Sequence, residues 1–401
     1  MPPEQFYVWI FLPGSPEPTL CGLLQQREDG SAVFAYGRLY AARADALSLS
    51  PDYPLDAALR GELLEPLPGD HLPLPFDDVA PGRWGLFVMT KRLGRPPRAL
   101  ESLLEVGPGR LGAFGFSLSR DRAPDVGYGE VLPLTALPDL AEAVSGIEQS
   151  KDVPSRYRFA LAHGPSVGGR RPKADFVDEN GQLWIAKFTS GMDVLDDFPL
   201  LEAFGLAMAQ RCGIAVPAFQ TRRVRGGAVL LVQRFDRRPD GIRDHVLSVR
   251  SLLQVPEASL DLDGSYPAVA ELLRRQGTPA DIGERWFERM VFNIVLGNTD
   301  DHPLNHLFGW DGRDLRLMPA FDLEPCGGRD GGRHQMRISP DSYEGTLDNA
   351  VAAAAEFGLS ARQAWACIER IRGEFVGWRT VAQALGCGVT LQGHIKAGLR
   401  I

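Results

Sequence analysis

The chain has 401 residues, 44% hydrophobic and 23% charged, which is long for one core and predicts two lobes or a few domains. It has no run of about 20 apolar residues to cross a membrane, and its formal net charge of −8 argues against broad, charge-driven nucleic-acid binding, leaving local basic patches at Arg170–Arg171 or Arg222–Arg225. Five cysteines, Cys21, Cys212, Cys326, Cys367 and Cys387, are scattered and odd in number, which argues against a disulfide framework or zinc knuckle and fits a reducing cytoplasm.

In chain order, the first ~130 residues read as β-rich. Phe6–Leu12 predicts a strand rather than a signal peptide, because no basic segment precedes it. Asp29-Gly30 predicts a tight turn before a strand over Ser31–Tyr36. Pro51–Pro75 and the glycine-rich Gly107–Phe116 read as irregular. Gly164–Lys173 is a polar, glycine-rich loop, and Leu183–Phe188 alternates as a strand should. Leu201, Phe204 and Met208 predict one face of a helix over Phe198–Cys212, stopped by Gly213 and Pro217. Ala228–Phe235 predicts another strand. From Val246 the chain reads as mostly helical, with a helix over Asp281–Leu296 ended by Gly297. Asp311-Gly312 predicts a hairpin between His306–Trp310 and Leu315–Met318, and Ser360 with Gln363 predicts a capping box.

The densest polar cluster is Asn298-Thr-Asp-Asp-His-Pro-Leu-Asn305, between a buried-looking helix and the hairpin. A loop held on both sides suits catalysis. Asp300 and Asn305 can present a carboxylate and an amide to one space, and the hairpin returns the chain to Phe321-Asp322. Phosphoryl transfer uses this set: a carboxylate for the acceptor hydroxyl, and oxygen ligands such as Asn305 and Asp322 for Mg²⁺. Lys187 ends an alternating strand, where its ammonium can reach phosphates, and Glu202 on the next helix can hold it. Gly168-Gly169 allows backbone N–H groups close to phosphate oxygens.

Each feature alone has a blander reading. Gly168-Gly169 can be a turn, Lys187 a solvated edge lysine, and Glu202 the polar face of a helix. Arg237-Arg238 reads as a solvated turn or a partner for Asp236. His302 can bind metal with Asp300 and His306, orient the loop, or lie buried and satisfied; the orienting role is favoured. Asp301 reads as exposed or loop-capping rather than a second base.

Taken together, Ser166–Lys173, Gln233–Arg238, Asn298–Asn305 and Phe321-Asp322 resemble, in order and rough spacing, the successive motifs of the HipA family of toxin–antitoxin kinases. Ala46–Ser50 and Gly112–Phe116 are similar to that family's N-terminal subdomain. The resemblance implies an α+β, protein-kinase-like two-lobe fold. Its parts are an N-terminal β-rich subdomain (1–125), a kinase N-lobe core (126–240) and a helical C-lobe (241–401). It implies ATP and Mg²⁺ as cofactors, with Asp300 and Lys187 catalytic and Asn305 and Asp322 holding the metal. The nucleotide is expected to meet Ser166, Val167, Gly168, Gly169, Lys173, Lys187, Glu202, Gln233, Arg234, Phe235, His302, Asn305 and Asp322. The hinge Gln233–Phe235 would meet adenine through its backbone. Ser166 is the expected autophosphorylation site, which would eject the loop. The resemblance also implies a protein substrate with a Ser or Thr hydroxyl, such as an aminoacyl-tRNA synthetase. It implies a HipB-like helix-turn-helix antitoxin, and DNA contact only through it. Rival expectations are a catalytically silent co-repressor and a metal hydrolase using Asp300, His302 and His306.

Overall fold

The computed structural model describes residues 4–401 apart from 125–130, 152, 155–156, 158–160, 162–170, 192, 261–262 and 329–330. Ser166, Val167, Gly168 and Gly169, with most of their loop, lie outside the described residues.

The chain begins with a four-stranded antiparallel sheet in the order β3-β2-β1-β4, formed by β1 (Gln5–Phe11), β2 (Pro18–Gln26), β3 (Ala32–Tyr36) and β4 (Phe114–Ser117). The expected turn is there: Gly30 has φ +87°, and Asp29 Oδ1 accepts the Ser31 N–H at 2.9 Å. β2 was not expected, since its Cys-Gly and Gln-Gln pairs blur the alternation. Gly22 is required within it, because a Cβ there would sit 2.4 Å from the Phe34 ring.

The front half is less purely β than its sequence reads. Short helices occupy Ala57–Arg60 and Leu74–Asp77 within the stretch expected to be irregular, and Arg83–Leu93, Ala99–Glu105 and Leu137–Glu148 are helical too. Arg83–Leu93 carries Gly85, Phe87 and Thr90, which weaken its local helical signal. Tertiary burial of Trp84, Val88 and Met89 holds it.

A five-stranded sheet follows in the order β5-β6-β7-β9-β8, from β5 (Leu132–Pro133), β6 (Lys173–Val177), β7 (Leu183–Phe188), β8 (Phe219–Val224) and β9 (Gly227–Gln233). β7, the strand expected to carry the lysine, is central. A small antiparallel sheet of β10 (Val246–Ser248), β11 (Leu307–Trp310) and β12 (Leu315–Leu317) holds the predicted hairpin. Most other elements of the C-terminal part are helices, centred on Ala280–Leu296, whose Trp286, Phe287, Met290 and Val291 are fully buried. It stops at Gly297, with φ +71°. No helix among the described residues is long and apolar enough to cross a membrane.

One continuous apolar core joins the first sheet, the Pro199–Arg211 helix and the C-terminal helices, and a second packs on the five-stranded sheet. Polar contacts pin the front to the back: Trp310 Nε1 donates to Ser48 O at 2.8 Å, and the Ser248 N–H to Asp78 Oδ2 at 2.8 Å.

Candidate active site

Alternation along β7 sorts its side chains. Ala186 and Phe188 enter the core on the five-stranded sheet, while Ile185 and Lys187 line a cleft on the other face. The Pro199–Arg211 helix behind the cleft is buried through most of its length and starts with Pro199 in its first turn. Glu202 is 1% exposed and joins three elements: Oε2 lies 2.6 Å from Lys187 Nζ, and Oε1 accepts the Asp322 N–H at 2.9 Å. Lys187 Nζ also lies 2.6 Å from Asp322 Oδ1. Asp322 takes φ +56°, a left-handed conformation that Asp tolerates better than most residues. Neither bland reading holds: Lys187 is on the central strand, and Glu202 is not on a polar helix face.

Burial alone would raise the Asp322 carboxyl, but Lys187, then Lys173 and Arg171, hold it well below the usual carboxylate range. Burial opposes the charge on Lys187, yet Asp322 and Glu202 keep its pKa above the ordinary lysine value. Lys173 pairs opposite Lys187 on β6. Burial first, and Lys187 second, push it down to about 8.

Residues 298–305 do not line this cleft, although Asp300 is near enough for the Asp322 charge to act on it. Asp300 exposes 68% of its side chain and has His302 Nε2 3.9 Å from its Oδ1. Partial burial raises its pKa, with Asp322 adding to the rise and His302 opposing it. Asn305 Nδ2 donates to Asp300 O at 2.8 Å, which leaves its amide oxygen as the ligand it can offer. Asp301 is buried, not exposed, and the loop-capping alternative holds. It accepts from Tyr266 Oη at 2.8 Å and the Gln335 N–H at 3.0 Å, and pairs with His334 Nδ1 at 2.8 Å. His306 is enclosed by Tyr266 and Trp286, and burial pushes it down to about 3. Asp300, His302 and His306 do not converge as a metal site. Among the described residues the acids close enough are Glu202, Asp322 and Glu324, with ligand oxygens within 4.8 Å of one another.

The cleft spans about 530 Å³ of space, part of it open to solvent. Its apolar end is lined by Leu111, Ile185, Val232, Phe235 and Phe321, the last two rings 5.8 Å apart. Its polar end holds Lys173, Lys187, Glu202 and Asp322. Gln233 and Arg234 contribute to the lining, but the Arg234 side chain turns away into a buried network with Asp236 and Asp175. Arg237 is not a solvated turn residue. It is 4% exposed, lies 3.2 Å from Asp236 and donates to the carbonyls of Gly112 and Arg110.

Sequence reasoning missed the partners that this folding supplies. Glu324, two residues past Asp322, pairs with Arg171 at 3.1 Å. Tyr266 and His334 reach Asp301 from 35 and 33 residues away, and only the run of polar residues around Asp301 hinted at such a role.

Residues 165–378 match the family described as the HipA-like C-terminal domain. Y4mE of Sinorhizobium fredii (strain NBRC 101917 / NGR234), a protein provisionally named a kinase, is 26% identical over 323 residues, covering 76% of this chain and 74% of that protein. The chain is also similar to Shewanella oneidensis MR-1 HipA, solved with HipB and operator DNA. That likeness has a TM-score of 0.69 at 17% identity, over 97% of this chain and 95% of the other. It shows the fold: α+β, protein-kinase-like and two-lobed.

Proposed function

The chain belongs to the HipA-like C-terminal domain family, and from that premise we propose that it is an ATP- and Mg²⁺-dependent protein serine/threonine kinase. One observation carries the reading. Lys187 is gripped by Glu202 and Asp322 at the polar end of a cleft whose other end is apolar. A strand lysine held by a helical glutamate beside a metal-binding aspartate is what kinases use to bind a nucleotide's phosphates.

The donor set fits both ligands. Leu111, Ile185, Val232, Phe235 and Phe321 offer an apolar slot for adenine, beside the Gln233–Phe235 backbone. Lys187 and Lys173 supply positive charge for phosphates, and the Asn305 and Asp322 oxygens suit a hard cation. Bound Mg²⁺ would neutralise phosphate charge during transfer. Lys187 would orient the donor phosphates. Asp300 would accept the proton of a Ser or Thr hydroxyl as its oxygen bonds to the γ-phosphorus, and the bond from that phosphorus to the β-phosphate oxygen breaks to release ADP. Such transfer draws mainly on positioning and charge stabilisation.

The reading extends to autophosphorylation at Ser166, to a translation-related protein acceptor, and to a cytoplasmic setting. A HipB-like antitoxin would bring DNA near only indirectly. The test is incubation of the purified chain with γ-labelled ATP and Mg²⁺. Label on the chain, absent in Asp300→Asn, supports the kinase. No label and no nucleotide-dependent thermal shift would defeat it in favour of a silent co-repressor.

A further inference from the structure

Arg171 is the first described residue of the glycine-rich loop, and three side chains grip it. Its Nη1 lies 3.1 Å from Glu324 Oε2, its Nε 3.1 Å from Asp193 Oδ1, and its guanidinium stacks 3.5 Å over the Phe198 ring. About a third of the side chain is still exposed (35%). A guanidinium fixed on two carboxylates and an aromatic face has lost most of its rotamer freedom before any ligand arrives.

Register gives its position along the cleft. Trp184 of β7 pairs with hinge residue Gln233, and Lys187, three residues on, pairs with Lys173. Those three residues span roughly 10 Å. Pro172 O then accepts the Phe188 N–H at 3.0 Å, so Arg171 continues beyond Lys187, away from the hinge. A nucleotide with its base at the hinge and inner phosphates at Lys187 would carry its outermost phosphate toward Arg171. The Arg171 charge also acts on Asp322 and Asp300, the acids assigned to metal and acceptor.

We propose that Arg171 recognises the terminal phosphate and makes the cleft distinguish a nucleoside triphosphate from a diphosphate. The inference rests on the nucleotide-binding reading above. Glu324 holds the guanidinium in the ligand-free chain and competes with the phosphate for it.

The competition separates recognition from a simple latch. A latch needs both partners, so Arg171→Met and Glu324→Gln would act alike. Recognition sets them apart: Arg171→Met removes the donor, while Glu324→Gln removes a rival. The experiment measures binding of a non-hydrolysable β,γ-imido triphosphate and of ADP, each with Mg²⁺, to the full chain. The wild type is expected to favour the triphosphate. Arg171→Met is expected to lose roughly tenfold or more for the triphosphate, the effect of one charge-assisted contact, while ADP changes less than about twofold. Glu324→Gln should keep or widen the preference. Should Arg171→Met fold poorly, Arg171→Lys, which keeps charge without the fork, is expected to fall between.

Equal weakening of both ligands in Arg171→Met overturns the proposal. So does no change in either, or collapse of the preference in Glu324→Gln. A wild type that binds ADP as tightly as the triphosphate also overturns it, while leaving nucleotide binding intact. A wild type that binds neither removes the kinase reading and this inference together.

Discussion

Asp300 and Asp301 are adjacent in sequence but lie in opposite environments: the first exposes 68% of its side chain and the second none. That contrast separates their roles. Asp300 faces solvent, as the proposed reading requires of the group that meets an acceptor hydroxyl. Asp301 is sealed beneath by Tyr266, His334 and Gln335. Burial alone would raise the Asp301 carboxyl, yet His334 keeps it below the usual range. Asp300→Asn is therefore expected to cut phosphoryl transfer by about a hundredfold or more with little loss of stability. Asp301→Asn turns an amide toward existing donors and should cost on the order of 3 kcal/mol of folding stability. Transfer assays and urea denaturation on both variants check this, and a reversal of the two effects would sink the assignment.

Nucleotide affinity should fall as pH rises through about 8. Lys173, pushed down to about 8, is charged below that pH and discharges above it. An anionic ligand prefers the charged form, so Lys173 alone keeps affinity high below pH 8 and lowers it above by at most about tenfold per pH unit. Lys187 keeps its charge, because Asp322 and Glu202 hold it up against burial. Glu324, pushed up to about 8 by burial, ionises over the same interval and adds to the loss. Lys173→Met should bind more weakly at pH 7 with a flatter profile, and Glu324→Gln should flatten the profile without weakening binding at pH 7. Binding isotherms from pH 7 to 10 test both signs.

Local pattern made some of this site legible and fold geometry hid the rest. The alternation in Leu183–Phe188 matches β7 residue for residue, because two faces with different surroundings impose period two. The Leu201, Phe204 and Met208 stripe located the Glu202 helix, and the polar run 298–305 located the loop. The helix at Arg83–Leu93 was not legible, since its stability comes from packing on another sheet. Nor were the partners of Arg171 and Asp301. Arg171 meets Glu324 across 153 residues, and no local period encodes a pairing at that separation.

Arg234 lies at the position proposed as the hinge, yet its side chain does structural work. Its residue lines the cleft, but its 1%-exposed side chain donates to Asp236 at 2.7 and 2.6 Å, to Asp175 at 3.2 Å and to the carbonyls of Gly109 and Arg110. Asp236 also accepts the Gly112 N–H at 2.8 Å, so the network fastens the end of β9 to the 109–112 segment. Arg234→Met would strand Asp175 and leave Asp236 with only Arg237 and the Gly112 N–H, and should cost about 3–5 kcal/mol. Arg234→Lys should rescue little, because one ammonium cannot replace a planar five-donor fork. The midpoint of urea unfolding is the readout, and a near wild-type midpoint for Arg234→Met would rule the network out as a major support.

Gly205 sits one turn past Glu202, where the helix meets the segment carrying Asp322. A Cβ there would lie 1.8 Å from Leu323 O and 2.8 Å from its carbonyl carbon. Alanine would gain about 1 kcal/mol in helix propensity. The clash is with backbone, which cannot rotate aside, and overpacking of this kind costs about 1–3 kcal/mol. The clash wins, and its relief displaces Asp322, the residue paired with Lys187. Gly205→Ala is therefore expected to lose nucleotide binding as well as stability. Gly373, inside the Ala361–Phe375 helix, has nothing within 4 Å of its Cβ position. Gly373→Ala should gain up to about 1 kcal/mol and leave binding unchanged. Denaturation and nucleotide titration of the pair separate the two effects, and a Gly205→Ala chain that binds normally would show that the helix and the Asp322 segment are not in register as described.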